Sequence, residues 1–110
     1  MDSGISQEDY IRQVLEAYRK TPGTMGTIRR ADRLLAAQLY QRGLSVRVIE
    51  NALVLAATRR MIRRADAPPL GTIRSLAYFL PVIEEVLESR VSPQYFDYLR
   101  YKLARIDAAR

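Results

Sequence analysis

The residues of this chain best equipped for chemistry are arginines in two tight runs, Arg29-Arg30-Ala31-Asp32-Arg33 and Thr58-Arg59-Arg60-Met61-Ile62-Arg63-Arg64. A guanidinium presents a planar fork of donors and stays charged, so its chemistry is recognition of carboxylate, phosphate or guanine rather than proton transfer. In the second run Arg59 and Arg63, and likewise Arg60 and Arg64, are four residues apart. That spacing stacks cations on one helix face, which repels in isolation and suits a row of phosphates. Two other roles are open to the same side chains: complementing the dipole at a helix C-terminus, and lying with their aliphatic stems over core surface.

The rest of the composition narrows the chemistry. The chain has 110 residues, with 18 Lys and Arg against 12 Asp and Glu and a net charge of +6. Such a balance favours anionic partners. Lys20 and Lys102 are the only lysines, so the excess is carried by arginine, which a GC-rich genome would also enrich. There is no cysteine and no histidine. Their absence removes disulfides, thiolates, the commonest metal ligand and the commonest general base, and no nucleophile, base and orienting residue can be assembled. Glu84, Glu85 and Glu88 form the one acidic cluster, read as a solvated helix face or an interaction patch. A binding protein without cofactor or metal is expected, rather than an enzyme. The N-terminus lacks the basic segment and apolar run of a signal peptide, and no apolar run reaches membrane-spanning length, so a cytoplasmic location is expected.

These side chains must be positioned by helices. A length of 110 residues with 48% hydrophobic content suits one domain with one core. Ser6 with Asp9 three residues on reads as a helix start, residues 1–5 as a disordered tail, and Tyr10, Ile11, Val14, Leu15 and Tyr18 as a buried face. Thr21 to Gly26 is a break. A second helix is predicted from about Thr27 to Arg42, with Ile28, Ala31, Leu35 and Leu39 as its stripe and Leu34 widening it, ended by Gly43. Ser45 caps a third, from Val46 to about Arg64, apolar round most of its circumference from Val46 to Ile62 and therefore central. Only Arg47, Asn51 and Thr58, with Glu50 beside them, read as exposed. Ala65 to Gly71, with Pro68-Pro69, is a second break. Leu76, Phe79, Leu80, Ile83, Val86 and Leu87 then make a helical apolar face in which Pro81 either kinks one helix or starts another. Ser92-Pro93 opens the last helix, with Phe96, Leu99, Leu103 and Ile106 facing inward. Gly26-Thr27-Ile28-Arg29 recurs as Gly71-Thr72-Ile73-Arg74, each time after a break, with threonine expected to cap a helix and an arginine in its first turn. Cations there call for a nearby anion, such as Asp32 or Glu84. The expected fold is all-α, a single bundle of about five helices.

Leu39, Gly43, Ile49 and Ala52 also have the spacing of a helix-turn-helix. In that reading Ser45, Arg47, Glu50 and Asn51 face a major groove, with Asn51 pairing to adenine and Arg47 to guanine or phosphate. Any antiparallel helical hairpin with a Gly-Leu-Ser connection shares the spacing. On the last helix, Tyr95, Tyr98 and Tyr101 lie among Arg100, Lys102 and Arg105. That mixture can stack on unpaired bases, anchor a protein partner, or simply border a core.

Residues 33–43 and 69–85, from Arg33-Leu34-Leu35-Ala36 and from Pro69-Leu70-Gly71-Thr72, resemble helical segments of poorly characterised bacterial proteins. Some of those proteins are labelled as replication or helix-turn-helix proteins of mobile elements. Arg42-Gly43-Leu44-Ser45 through Ile49-Glu50 with Ala52-Leu53 is similar to one three-helix unit of the regulators that inhibit recombinase filaments. Neither resemblance assigns a functional residue. The combined expectation is a small basic protein that binds nucleic acid, DNA foremost, through Arg29, Arg30, Arg33, Arg47, Asn51, Arg59, Arg60, Arg63 and Arg64, as an accessory factor of a mobile element. The alternative is a protein-interaction module or homodimeric accessory subunit using Tyr95, Tyr98 and Tyr101.

Overall fold

Ser6 starts the first helix as its side chain requires: its hydroxyl accepts from the Asp9 N–H at 3.1 Å. In the computed structural model, which describes residues 5–63, 66–88 and 92–108, this helix is α1, Gln7–Lys20. It is followed by α2 (Arg30–Gln41), α3 (Val46–Met61), a 3₁₀ turn (Leu76–Phe79), α4 (Leu80–Glu88) and α5 (Pro93–Ala108). Residues 1–4 of the expected tail lie outside the described residues, and Ile5 packs half-buried against the core.

The sequence explains the joints. Gly43 takes φ +79°, the left-handed conformation that ends α2, and the Leu44 N–H returns to the Leu39 carbonyl. Ser45 then accepts from the Val48 N–H at 3.1 Å and opens α3. Pro81 lies in the first turn of α4, where its missing N–H has no intrahelical partner to lose. Pro93 is the first residue of α5 for the same reason.

Helix α3 is the centre of the molecule. It packs on α1, α4, α5 and the 3₁₀ turn, burying Ile49, Leu53, Ala52, Ala56 and Ala57, whose small alanines let neighbouring helices approach closely. α1 also packs on α2, whereas α2 and α3 touch little beyond their connection. Tyr10, Val14, Tyr18, Leu39, Phe79 and Ile83 complete the core, and α5 adds Phe96, Leu99 and Leu103 against α3. No helix among the described residues is long and apolar enough to cross a membrane.

Several expectations need correction. α2 starts at Arg30, not Thr27, and α3 stops at Met61, so Ile62 leaves the helix and is exposed rather than core. Leu34 and Leu87 are exposed too. Thr58, expected at the surface, is buried because its hydroxyl donates to the Val54 carbonyl at 2.7 Å and takes its own polarity out of play. Thr27 and Thr72 cap nothing. The two glycine-containing breaks instead pair with each other: Ile73 N–H donates to Gly23 O at 2.8 Å and Met25 N–H to Ile73 O at 3.0 Å, a parallel bridge between Thr24 and Ile73.

Asp32 fastens this arrangement. Its carboxylate, 2% exposed, accepts from the Arg29 N–H and from the Leu76 N–H, both at 2.9 Å. One side chain thus caps α2 and the 3₁₀ turn together.

Candidate nucleic-acid interface

The C-terminal end of α3 and the two bridged breaks enclose an arginine-lined cleft. Arg59 and Arg60 occupy the last turn of α3, where cations complement the helix dipole. Beyond Met61 the backbone turns at Ile62 (φ −95°, ψ 76°), which redirects Arg63. Arg60 donates to the Gly71 carbonyl at 2.6 Å and the Tyr78 hydroxyl at 3.1 Å, with its guanidinium 5.6 Å from the Tyr78 ring centroid. Arg63 donates to the Pro68 carbonyl at 2.7 Å. On one side these residues bound a depression of about 370 Å³ with Pro22, Gly23 and Gly71; on the other, one of about 280 Å³ with Arg59, Leu70, Tyr78 and Val82. Gly23 is fixed by two constraints, since its φ is +94° and a β-carbon there would come within 3.2 Å of Arg60 Nε.

The charge of the cleft is set by what each guanidinium pairs with. Among the described residues Arg60 and Arg63 are held by neutral acceptors, so their charge is oriented without being cancelled by them. Arg59 instead makes a two-pronged pair with Glu85, with Nη1 to Oε1 at 2.8 Å. That pair holds the Glu85 carboxyl below its ordinary range and raises the guanidinium of Arg59. Arg42 and Glu84 form the equivalent brace at 2.7 Å, so Glu84 too is pulled down. The acidic cluster therefore acts through two of its members as a clamp from α4 to the ends of α2 and α3.

The remaining expected residues do not join this cleft in one surface. Arg64 lies outside the described residues. The expected four-residue stacking of Arg59 on Arg63 does not form on a helix, because α3 has ended before Arg63. Arg47 sits at the opposite end of α3, about 20 Å from Arg60 along the axis at 1.5 Å per residue. It is exposed and 3.9 Å from Glu50. Asn51 is half-buried, its side-chain oxygen accepting from Arg100 of α5, and the Ser45 hydroxyl is occupied in capping. Burial, and then the nearby charge of Arg47, lower the pKa of Arg100. Arg29, Arg30 and Arg33 are exposed around the start of α2; Arg29 reaches the Met25 sulfur at 3.7 Å, and Arg33 borders a separate depression with Ile11, Leu15 and Ile28.

Comparison with protein-family models, curated proteins and solved structures finds no match. The chemistry of the site rests on its own residues.

Tyr95, Tyr98 and Tyr101 are all exposed, at 45%, 53% and 60%, along one strip of α5. The Tyr95 and Tyr98 rings are 6.5 Å apart, Lys102 stands 5.8 Å from the Tyr98 ring, and Arg105 donates to the Tyr101 hydroxyl at 2.9 Å. The strip belongs to α5, which packs along α3, the helix whose last turn lines the cleft. Sequence reasoning missed Tyr78 and the carbonyls of Pro68 and Gly71. The pairing of the two breaks left no signal either: the Gly-Thr-Ile-Arg echoes read as helix starts, and the bridge joins Gly23 and Met25 to Ile73 without Gly26 to Arg29. Arg100 as the partner of Asn51 left no signal at all.

Proposed function

We propose that this protein binds nucleic acid, with phosphates seated in the cleft of Arg60 and Arg63 and Arg59 at its edge. The observation that carries this reading is that Arg60 and Arg63 are pinned by neutral oxygens, so two oriented positive charges face a concave surface with no anionic partner among the described residues. Preorganised guanidinium forks lose little freedom on binding a phosphate. Arg29, Arg30, Arg33 and Arg47 add long-range attraction from separate parts of the surface. In this reading the protein is a binding protein, an accessory factor acting on DNA in the cytoplasm, and what supports it is the charge and geometry of the cleft.

Fluorescence anisotropy with labelled DNA at about 50 and about 200 mM salt tests this. Binding should weaken steeply with salt, and the double substitution Arg60→Ala, Arg63→Ala should lower affinity at least about tenfold while flattening the salt slope. A folded wild-type protein that binds neither duplex nor single strand at low salt would overturn the reading. A second reading, a homodimer or protein-interaction module, is favoured by the exposed Tyr95–Tyr98–Tyr101 strip on a helix that packs chiefly on α3. Salt-insensitive dimerisation lost on Tyr98→Ala would support it.

A further inference from the structure

The proposed nucleic-acid reading leaves open whether the ligand is duplex or single-stranded, and the inference here rests on that reading. Duplex recognition by the helix-turn-helix segment requires α3 to offer a long free face with base-reading groups. α3 is instead packed on by α1, α4 and α5, and the Asn51 oxygen is already engaged by Arg100. What the surface offers beside its cations is aromatic rings. Tyr78 is half-exposed under Arg60, and Tyr95 and Tyr98 stand exposed on α5 with Lys102 beside Tyr98. Arg59 lines the cleft beside Tyr78 in the last turn of α3, and α5, which carries Tyr95 and Tyr98, packs along α3. Base pairs in a duplex keep their faces stacked on each other, whereas unpaired bases stack readily on tyrosine.

We propose that the ligand is single-stranded nucleic acid, its phosphates held by Arg60 and Arg63 and its unpaired bases stacked on Tyr95 and Tyr98. With cations in the cleft and rings on α5, one strand can make backbone and base contacts together and without reading a sequence.

The test is anisotropy titration of labelled oligothymidine about 20 nucleotides long, against a duplex of the same length, with wild type, Tyr98→Ala, Tyr98→Phe and the Arg60→Ala, Arg63→Ala variant. The strand should bind more tightly than the duplex. Tyr98→Ala should weaken strand binding about 5- to 100-fold, Tyr98→Phe should restore it, and duplex binding should not respond to either. Tyr98 is 53% exposed, so Tyr98→Ala should melt with the wild type and its loss of binding cannot be assigned to unfolding. Equal binding of strand and duplex, unaffected by Tyr98→Ala but lost in the arginine variant, overturns the single-strand inference and leaves the cleft reading standing. Absence of salt-dependent binding to either ligand overturns both. Loss of a dimer in Tyr98→Ala with strand affinity unchanged overturns the inference in favour of protein interaction.

Discussion

Substitution of Asp32 by alanine should damage this protein more than any surface arginine does. The carboxylate accepts two backbone N–H bonds at 2.9 Å, one from Arg29 at the start of α2 and one from Leu76 at the start of the 3₁₀ turn. Removing it leaves the Arg29 donor in a half-exposed position where water can replace the bond, a loss of about 1 kcal/mol typical of a deleted cap. The Leu76 donor is buried and has no such substitute, so its loss costs about 2 kcal/mol, the desolvation of an unmet N–H. The two losses sum to about 3 kcal/mol, and relief of the carboxylate's own burial offsets part of this, so about 3 kcal/mol is the upper bound. For a chain of 110 residues the unfolding entropy is about 0.23 kcal/mol per degree, so the melting temperature should fall by up to about 13 °C. Asp32→Asn, whose single oxygen can accept only one of the two bonds, should fall between wild type and alanine. Thermal and urea unfolding followed by far-UV circular dichroism measure both variants. A loss in Asp32→Ala of less than about 1 kcal/mol would refute the dual-cap argument.

Three further outcomes follow from the same structure. Tyr18 is fully buried with no hydrogen-bond partner for its hydroxyl among the described residues, so Tyr18→Phe should keep the edge contact to Phe79 and stabilise by about 1 kcal/mol in urea unfolding. Burial first, and the nearby Asp32 charge second, raise the Tyr18 pKa; the neutral form is thus favoured in the folded state. Its contribution is fully present below the unfolded value near about 10 and is lost as pH rises through the raised folded value, so the advantage of Tyr18→Phe should widen above about pH 10, which a melting series in alkaline buffers checks. Glu85→Gln frees Arg59 from its exposed clamp: nucleic-acid affinity should rise and the log–log salt slope should steepen by about 0.7 for a single strand, with little change in melting temperature. Gly23→Ala imposes a side chain at φ +94° against Arg60 and should both destabilise by about 1–2 kcal/mol and weaken binding, read by melting and by anisotropy.

The helices were legible in the sequence because each is bounded by chemistry that acts locally. Ser6, Gly43, Ser45 and Pro93 act within one turn of where they stand, and the three- and four-residue spacing of Tyr10, Val14 and Tyr18 defines a face without reference to the rest of the chain. The centrality of α3 was legible for a related reason, since a helix apolar on most sides has to be covered on most sides. What failed was everything decided by distant partners. Thr58 is polar by type and is buried by helices that pack on α3 from elsewhere in the chain, its hydroxyl donating one turn back to the Val54 carbonyl. Asn51 faces the side on which α5 settles. Asp32 reads as an anion near the arginines at the start of the second helix, but it accepts from backbone N–H groups, and its second bond spans 44 residues, which no local pattern encodes. The arginines were legible as a class and not as a surface: Arg59, Arg60 and Arg63 converge, and Arg47 is carried to the far end of the same helix.

The cleft and the fold depend on the same few contacts. Arg60 ties α3 to the loop at Gly71 and to the 3₁₀ turn at Tyr78, the turn that Asp32 anchors through Leu76. A guanidinium has five N–H donors, and these two tethers use two of them. The others remain for an anion, in a group whose orientation has already been fixed by folding. Replacing the neutral tethers with carboxylates would hold Arg60 equally well and cancel the charge, as Glu85 does for Arg59. Carbonyl tethers at Gly71 and Pro68 require loops that come close to the helix end, and the parallel bridge between Thr24 and Ile73 brings them there. The bridge, the glycine and the buried aspartate are thus the structural means by which a helix C-terminus displays arginine charge instead of spending it internally.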